Sequence, residues 1–214
     1  MSQLDVALIK GWLIFFEKTG CVYQKRDVDS WWEQFPHQGQ ETLESLHIFL
    51  GGYAFKKESA GMKLNEARNP LAPYGTQYKG KSGEMNRTKQ QSCIEFSNEQ
   101  NASLIDWVQR ELVNGAKDAH QRLCLISGVG PKIASYFMRD VACRFECFPS
   151  NGSERHLLQP IDIWVRRVAE ALGAQKAPSD HLPAANFIVE QSLKAGILPE
   201  RVNQGIWYFA AEIA

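Results

Sequence analysis

Lys132 lies in Leu-Ile-Ser-Gly-Val-Gly-Pro-Lys-Ile-Ala-Ser (125–135), and Asp162, thirty residues on, lies in Gln-Pro-Ile-Asp-Ile-Trp-Val-Arg-Arg-Val (159–168). A neutral lysine amine attacks electrophilic carbon, and a carboxylate steadies a growing cation. Together they make a reaction if the fold joins them. Between two helical patterns, Ser127-Gly128-Val129-Gly130 is long enough only for a tight turn, and Pro131 suits the first turn of the helix that follows. Gly128 and Gly130 would let the backbone take positive φ and come close to a partner. The exposed amides and the positive helix end then favour an anion, a DNA phosphate being the natural one. A plain helix–turn–helix corner is the alternative. Asp162 reads as an N-cap, a role compatible with chemistry because capping holds a carboxylate rigidly.

The elements that must position this pair read as helices almost throughout, so the expected fold class is all-α. Residues 3–18, apolar at 4, 8, 12, 15 and 16, form an amphipathic pattern stopped by Gly20. Asp27 or Asp29 would cap a short helix carrying Trp31, Trp32 and Phe35, and 42–53 is a further helical pattern. Helices are expected over 103–113, 116–126, 131 to about 142, 162–172 and 182–195, and from Pro199 onward. Residues 92–96 read as a brief strand and 143–158 as a polar insert. Residues 55–91 read as a long connection with eight Lys/Arg against three Glu. Such a basic loop either tracks a DNA backbone or is simply solvated.

Bulk composition constrains the class. The 214 residues carry 24 basic and 24 acidic side chains, so net charge does not advertise a nucleic-acid binder. No apolar run approaches a membrane span, and nothing resembles a signal peptide, so an intracellular, cytoplasmic protein is expected. Five cysteines (21, 93, 124, 143 and 147) without a paired framework suggest reduced thiols. Cys143 and Cys147 would share a helical face, with His156 the nearest extra ligand type. Two semi-buried thiols are the better reading than a metal site, and no metal from side chains is expected.

Leu-x-x-Ile-Ser-Gly-Val-Gly-Pro-Lys-Ile-Ala followed by Gln-Pro-Ile-Asp-x-x-Val-x-Arg-Val resembles the helix-hairpin-helix DNA glycosylases, the superfamily of endonuclease III and 8-oxoguanine glycosylase. The likeness covers residues 123–173, with the hairpin motif at about 119–142. It implies one glycosylase domain over 1–214, built as two helical lobes with an active-site cleft between them. Lys132 matches the family's nucleophile, which attacks C1′ of a damaged nucleoside, expels the base and forms a Schiff base. Strand cleavage by β-elimination follows. Asp162 matches the family's aspartate. Burial among Ile133, Phe137 and the hairpin would favour the neutral amine that attack requires. The alternative for Lys132 is a phosphate clamp.

The long Lys132-to-Asp162 connection and the lack of an iron–sulfur cysteine pattern look more like the archaeal-type 8-oxoguanine glycosylases. The resemblance therefore implies a bifunctional glycosylase and AP lyase acting as a monomer on double-stranded DNA, nucleoid-associated if prokaryotic. Its substrate would be an oxidised base, 8-oxoguanine first; an oxidised pyrimidine is the rival. A flipped base needs flat apolar walls. Phe137, Trp164 and Trp207 are candidates, with Asn203, which shares a helical face with Trp207, as polar reader. Arg166, and Arg167 beside it, would contact phosphate. The resemblance implies no organic cofactor, and family hairpins often hold a monovalent cation on main-chain carbonyls. A non-catalytic hairpin module is the rival from another class.

Overall fold

The first helix, α1 (Gln3–Tyr23), passes straight through the glycine expected to end it and runs on into a π-helical turn, Gln24–Asp29. This computed structural model describes residues 3–29, 96, 99–100, 104–126 and 129–210. Expectations for 30–95, including two helices and the basic loop, lie outside the described residues, as does Gly128. Phe96, at the end of the expected strand, is helical.

Gly20 continues α1 because it is a contact point. The last helix, α7 (Pro199–Tyr208), crosses α1 so closely that a Cβ on Gly20 would stand 1.9 Å from the Arg201 carbonyl oxygen. A Cβ on Gly205 would stand 1.8 Å from the carbonyl oxygen of Phe16. Only glycine permits such an approach of two backbones. The face of α1 that enters the core is therefore Ile9, Leu13, Phe16 and Tyr23. The stripe that sequence periodicity pointed to is mostly outside, with Leu8 62% and Trp12 43% exposed. Because α1 is apolar on two faces, periodicity alone could not choose between them.

Between these ends the chain forms α2 (Leu104–Asn114), α3 (Ala116–Leu123), α4 (Pro131–Phe145), α5 (Ile163–Ala171) and α6 (Leu182–Ala195). Asn114-Gly115 breaks α2 from α3, as expected, but α3 stops three residues before Ile126. Gly173 and Gly196, with φ of 115° and 74°, close α5 and α6 in the left-handed region where side chains are strained. The expected polar insert is instead a packed strap. Residues as far as Phe145 belong to α4, and Gly152–Leu158 form a 3-10 turn started by Asn151, whose Oδ1 accepts the Ser153 N–H. From that turn Glu154 Oε2 accepts the N–H groups of Ala116 (2.6 Å) and Lys117 (3.3 Å), capping α3 from outside its own sequence. Arg155 Nε donates to Glu200 Oε1 at 2.9 Å, and Leu158 is fully buried.

The described residues contain helices and no strand, which bears out the all-α expectation. Two apolar clusters hold them. One joins α2, α3 and α4 with Tyr23 and Tyr208; the other joins α1, α5, α6 and α7. Trp207 packs against both. Each fully buried aliphatic or aromatic side chain in them contributes roughly 1.5–3 kcal/mol.

Candidate active site

Lys132 occupies the second position of α4, behind Pro131. Its side chain is exposed and makes no hydrogen bond or ion pair with the described residues. The burial expected among Ile133 and Phe137 is absent, since Phe137 turns wholly into the core while Lys132 points away from it. Gly130 is extended, at φ −93° and ψ 174°, and so does not use positive φ. Its missing side chain leaves open space, while Val129 tucks back under the turn with its N–H on Ile126 O at 2.9 Å. Beneath the helix start, His120 Nε2 lies 3.1 Å from both Pro131 O and Ser135 Oγ. Burial pushes the His120 pKa down, outweighing the Pro131 carbonyl, so the ring is neutral and Nε2–H donates.

Asp162 caps α5 as its sequence predicts. Oδ1 accepts from Trp164 N and Val165 N, both at 2.9 Å. Oδ2 makes no hydrogen bond among the described residues, and the side chain is half-buried. One oxygen thus fixes the carboxylate while the other is uncommitted among the described residues.

Asn203 joins the two halves. It is fully buried, with Oδ1 accepting from Arg139 Nη1 at 2.8 Å and Nδ2 donating to Pro160 O at 3.3 Å. It therefore ties α4, which carries Lys132, to the turn that leads into Asp162. Both its polar ends are committed, so the expected base-reading role is corrected to one of bracing.

Arg139 and Asp140 are buried in mid-helix. Arg139 Nε donates to Asp140 Oδ1 at 2.8 Å, and Nη2 is equally close but off hydrogen-bond geometry. The guanidinium lies 4.2 Å over the Tyr136 ring. Burial opposes its charge, but Asp140, Tyr136 and Tyr23 outweigh that and raise its pKa, so the cation is kept. Gln204 Nε2 extends the network to Asp140 Oδ1 (3.0 Å) and Gln24 Oε1 (2.7 Å).

The aromatic candidates divide. Phe137 is fully buried and has no ring face to offer a base, which corrects that expectation. Trp164 is 44% exposed, with the Arg167 guanidinium 5.4 Å over its ring. Trp207 is half-buried, edge-on to Tyr136 (6.3 Å) and Tyr23 (5.5 Å). Tyr136, one turn beyond Lys132 and also half-buried, was missed in the sequence, although its i+4 spacing puts it on the Lys132 face. Its hydroxyl meets that of Tyr23 at 2.9 Å. Burial, then Tyr136, holds the Tyr23 phenol well above its ordinary pKa. Arg166 is half-buried, its Nη1 donating to Pro178 O and its Nε 3.8 Å from Glu170; Arg167 is exposed.

The described cysteines are free thiols, and no cluster of metal-ligating side chains occurs among the described residues. Burial raises the pKa of Cys143 strongly and pushes Cys147 up to about 11. No described helix is long and apolar enough to cross a membrane.

The described residues define a helical protein with an exposed lysine at one helix start and a capping aspartate at another. Among proteins of known sequence, the chain is similar to an uncharacterized protein of Methanocaldococcus jannaschii, 25% identical over 231 aligned residues. The alignment takes in 86% of this chain but 54% of that protein, so the chain spans about half the length of the relative. No family model and no solved structure matches the chain.

Proposed function

We propose that the chain is a helix-hairpin-helix DNA glycosylase with AP lyase activity, acting on an oxidised base, 8-oxoguanine first. The observation that carries the reading is the Asn203 bracket. It holds the Lys132 helix and the Asp162 turn to one buried point, though the two residues come from separate motifs. In this reading the two apolar clusters are the two lobes, and the cleft runs past the Lys132 end of α4. DNA phosphate sits against the Gly130 turn, where backbone amides and the helix start favour an anion. The flipped base is flanked by Tyr136 and Trp207.

The chemistry then follows. The neutral Lys132 amine attacks C1′, the C1′–N bond breaks, and the base leaves with its electron pair and takes a proton. Asp162 Oδ2 steadies the positive charge that grows on the sugar. Loss of a proton from nitrogen opens the sugar ring to the imine. The imine acidifies C2′, and removal of that proton expels the 3′ phosphate. Because Lys132 is exposed in the free protein, the bound duplex itself must strip water from the amine.

That same exposure favours a second reading, a non-catalytic hairpin module in which Lys132 clamps phosphate. Borohydride trapping on duplexes carrying oxidised purines or pyrimidines separates the two. A covalent protein–DNA species is expected with wild type, and none with Lys132→Gln despite retained DNA binding. No trapped species on any damaged duplex overturns the lyase mechanism. Nicking by Lys132→Gln overturns the choice of nucleophile.

A further inference from the structure

At the far end of α4, about 18 Å along the helix from Lys132 at 1.5 Å per residue, a cavity of ≈ 450 Å³ opens. It lies between the end of α1 with its π-helical turn, the last turn of α4 and the first turn of α7. Its lining is Cys21, Gln24, Lys25, Asp29, Arg144 and Arg201. Among the described lining residues three cations face one carboxylate, an excess of two positive charges.

The wall is held in place from behind. Arg201 Nη1 donates to Gln204 Oε1 at 3.1 Å and Nη2 to Cys143 O at 3.2 Å. Gln24 Nε2 holds Asp29 Oδ1 at 2.7 Å. The Arg144 charge is not satisfied to the same degree. Its Nη1 stands 3.8 Å from Asp29 Oδ1, beyond hydrogen-bond distance, and its Nε is buried with no hydrogen-bond partner among the described residues. Two guanidiniums and an exposed ammonium converging on one space suit an anion with several oxygens, Arg144 offering the less committed fork and Arg201 its charge.

We propose that this cavity binds a phosphate group, carried either by a small phosphorylated molecule or by a polynucleotide backbone. The charge excess of two matches one phosphate monoester dianion or two successive backbone phosphodiesters, each a monoanion, and the volume leaves room for the group esterified to the phosphate. The site stands apart from the Lys132 end of the helix and does not depend on the glycosylase reading.

Inorganic pyrophosphate serves as the probe, at ionic strength matched with potassium chloride. It is expected to raise the thermal midpoint saturably and to slow alkylation of the exposed Cys21 thiol, followed by mass spectrometry. Lys25→Gln, at an exposed position, is expected to weaken this binding about five-fold and Arg144→Gln about ten-fold, as for loss of one charge-assisted contact. Should Arg144→Gln not fold, Lys25→Gln still decides. A shift that does not saturate, or one that Lys25→Gln leaves unchanged, overturns the site. The source is read from duplex DNA. If Lys25→Gln lowers the salt slope of binding by about one, the phosphate is a DNA backbone phosphate. An unchanged slope with weakened pyrophosphate binding assigns it to a free phosphorylated molecule. Lys132→Gln is expected to bind pyrophosphate as wild type does, so failure here and failure of the glycosylase reading appear in different assays.

Discussion

Lys132 and Arg139 stand seven residues apart on α4, and their surroundings are opposite. Lys132 is exposed and without a described partner; Arg139 is fully buried and touches Asp140, Asn203 and the Tyr136 ring. The difference separates two uses of a cation. A buried charge is tolerable only when its partners are in place, so Arg139 locks the relative positions of α4, α7 and the turn before Asp162. An exposed charge stabilises almost nothing and is available to a ligand. The helix therefore carries its bracing in the middle and, under the proposed function, its chemistry at the end.

The largest test of that contrast removes the buried cation. Arg139→Ala is expected to cost about 3–5 kcal/mol, because it removes the counter-charge of the buried Asp140 carboxylate and opens a void. Lys132→Gln is expected to stay within about 0.5 kcal/mol of wild type, as surface changes do. Urea denaturation of the two variants measures both. A small loss at Arg139 would break the comparison, since the network would then be ornament to the apolar packing rather than its brace.

Much of this was legible in the sequence and some was not, for identifiable reasons. Asp162 was readable as a cap because capping is local: the carboxylate reaches amides two and three residues on. α6 likewise runs from Leu182 to Ala195 as its periodicity and the following glycine indicate. Gly20 misled because a glycine that ends a helix and one that admits a crossing helix look alike until α7 is in place. Asn203 misled for the same kind of reason. Its spacing from Trp207 is a fact of one helix, whereas its partners, Arg139 and Pro160, come from two other segments. A better signal was present: Arg139-Asp140 inside the apolar run from Ala134 to Ala142 marks a charge pair that must be buried together. The roles of Lys132 and Asp162 rest on motif and geometry together and await the trapping experiment.

Asp162 lies between the two extremes, one oxygen committed inward and the other not, and two substitutions split its roles. Asp162→Ala is expected to lose about 1 kcal/mol, the usual value of a cap. Asp162→Asn is expected to keep nearly all of that stability, since asparagine caps as well as aspartate, yet to lose the charge. If the proposed chemistry holds, Asp162→Asn traps poorly on damaged duplex while melting as wild type does. Wild-type trapping by Asp162→Asn would reduce the residue to a cap.

The smallest expected effect sharpens the outer end of the comparison. His120 supports the start of α4 as a neutral donor, and burial lowers its pKa below the unfolded value of about 6.5. Between the folded and unfolded pKa the unfolded chain binds more protons, so stability rises with pH there. His120 thus contributes fully above about pH 6.5, and its contribution is lost as pH falls toward the lower folded value. The midpoint of thermal unfolding is expected to drop on acidification through that window, and His120→Gln, which retains a donor for the Pro131 carbonyl, to flatten the drop. The Lys132 amine should gain mobility over the same interval, visible as narrowing of its NMR signal, because the first turn of α4 loosens before the Arg139 network does. If acid instead loosens the Arg139 region first, the end of the helix is braced as firmly as its middle, and the division of labour along α4 fails.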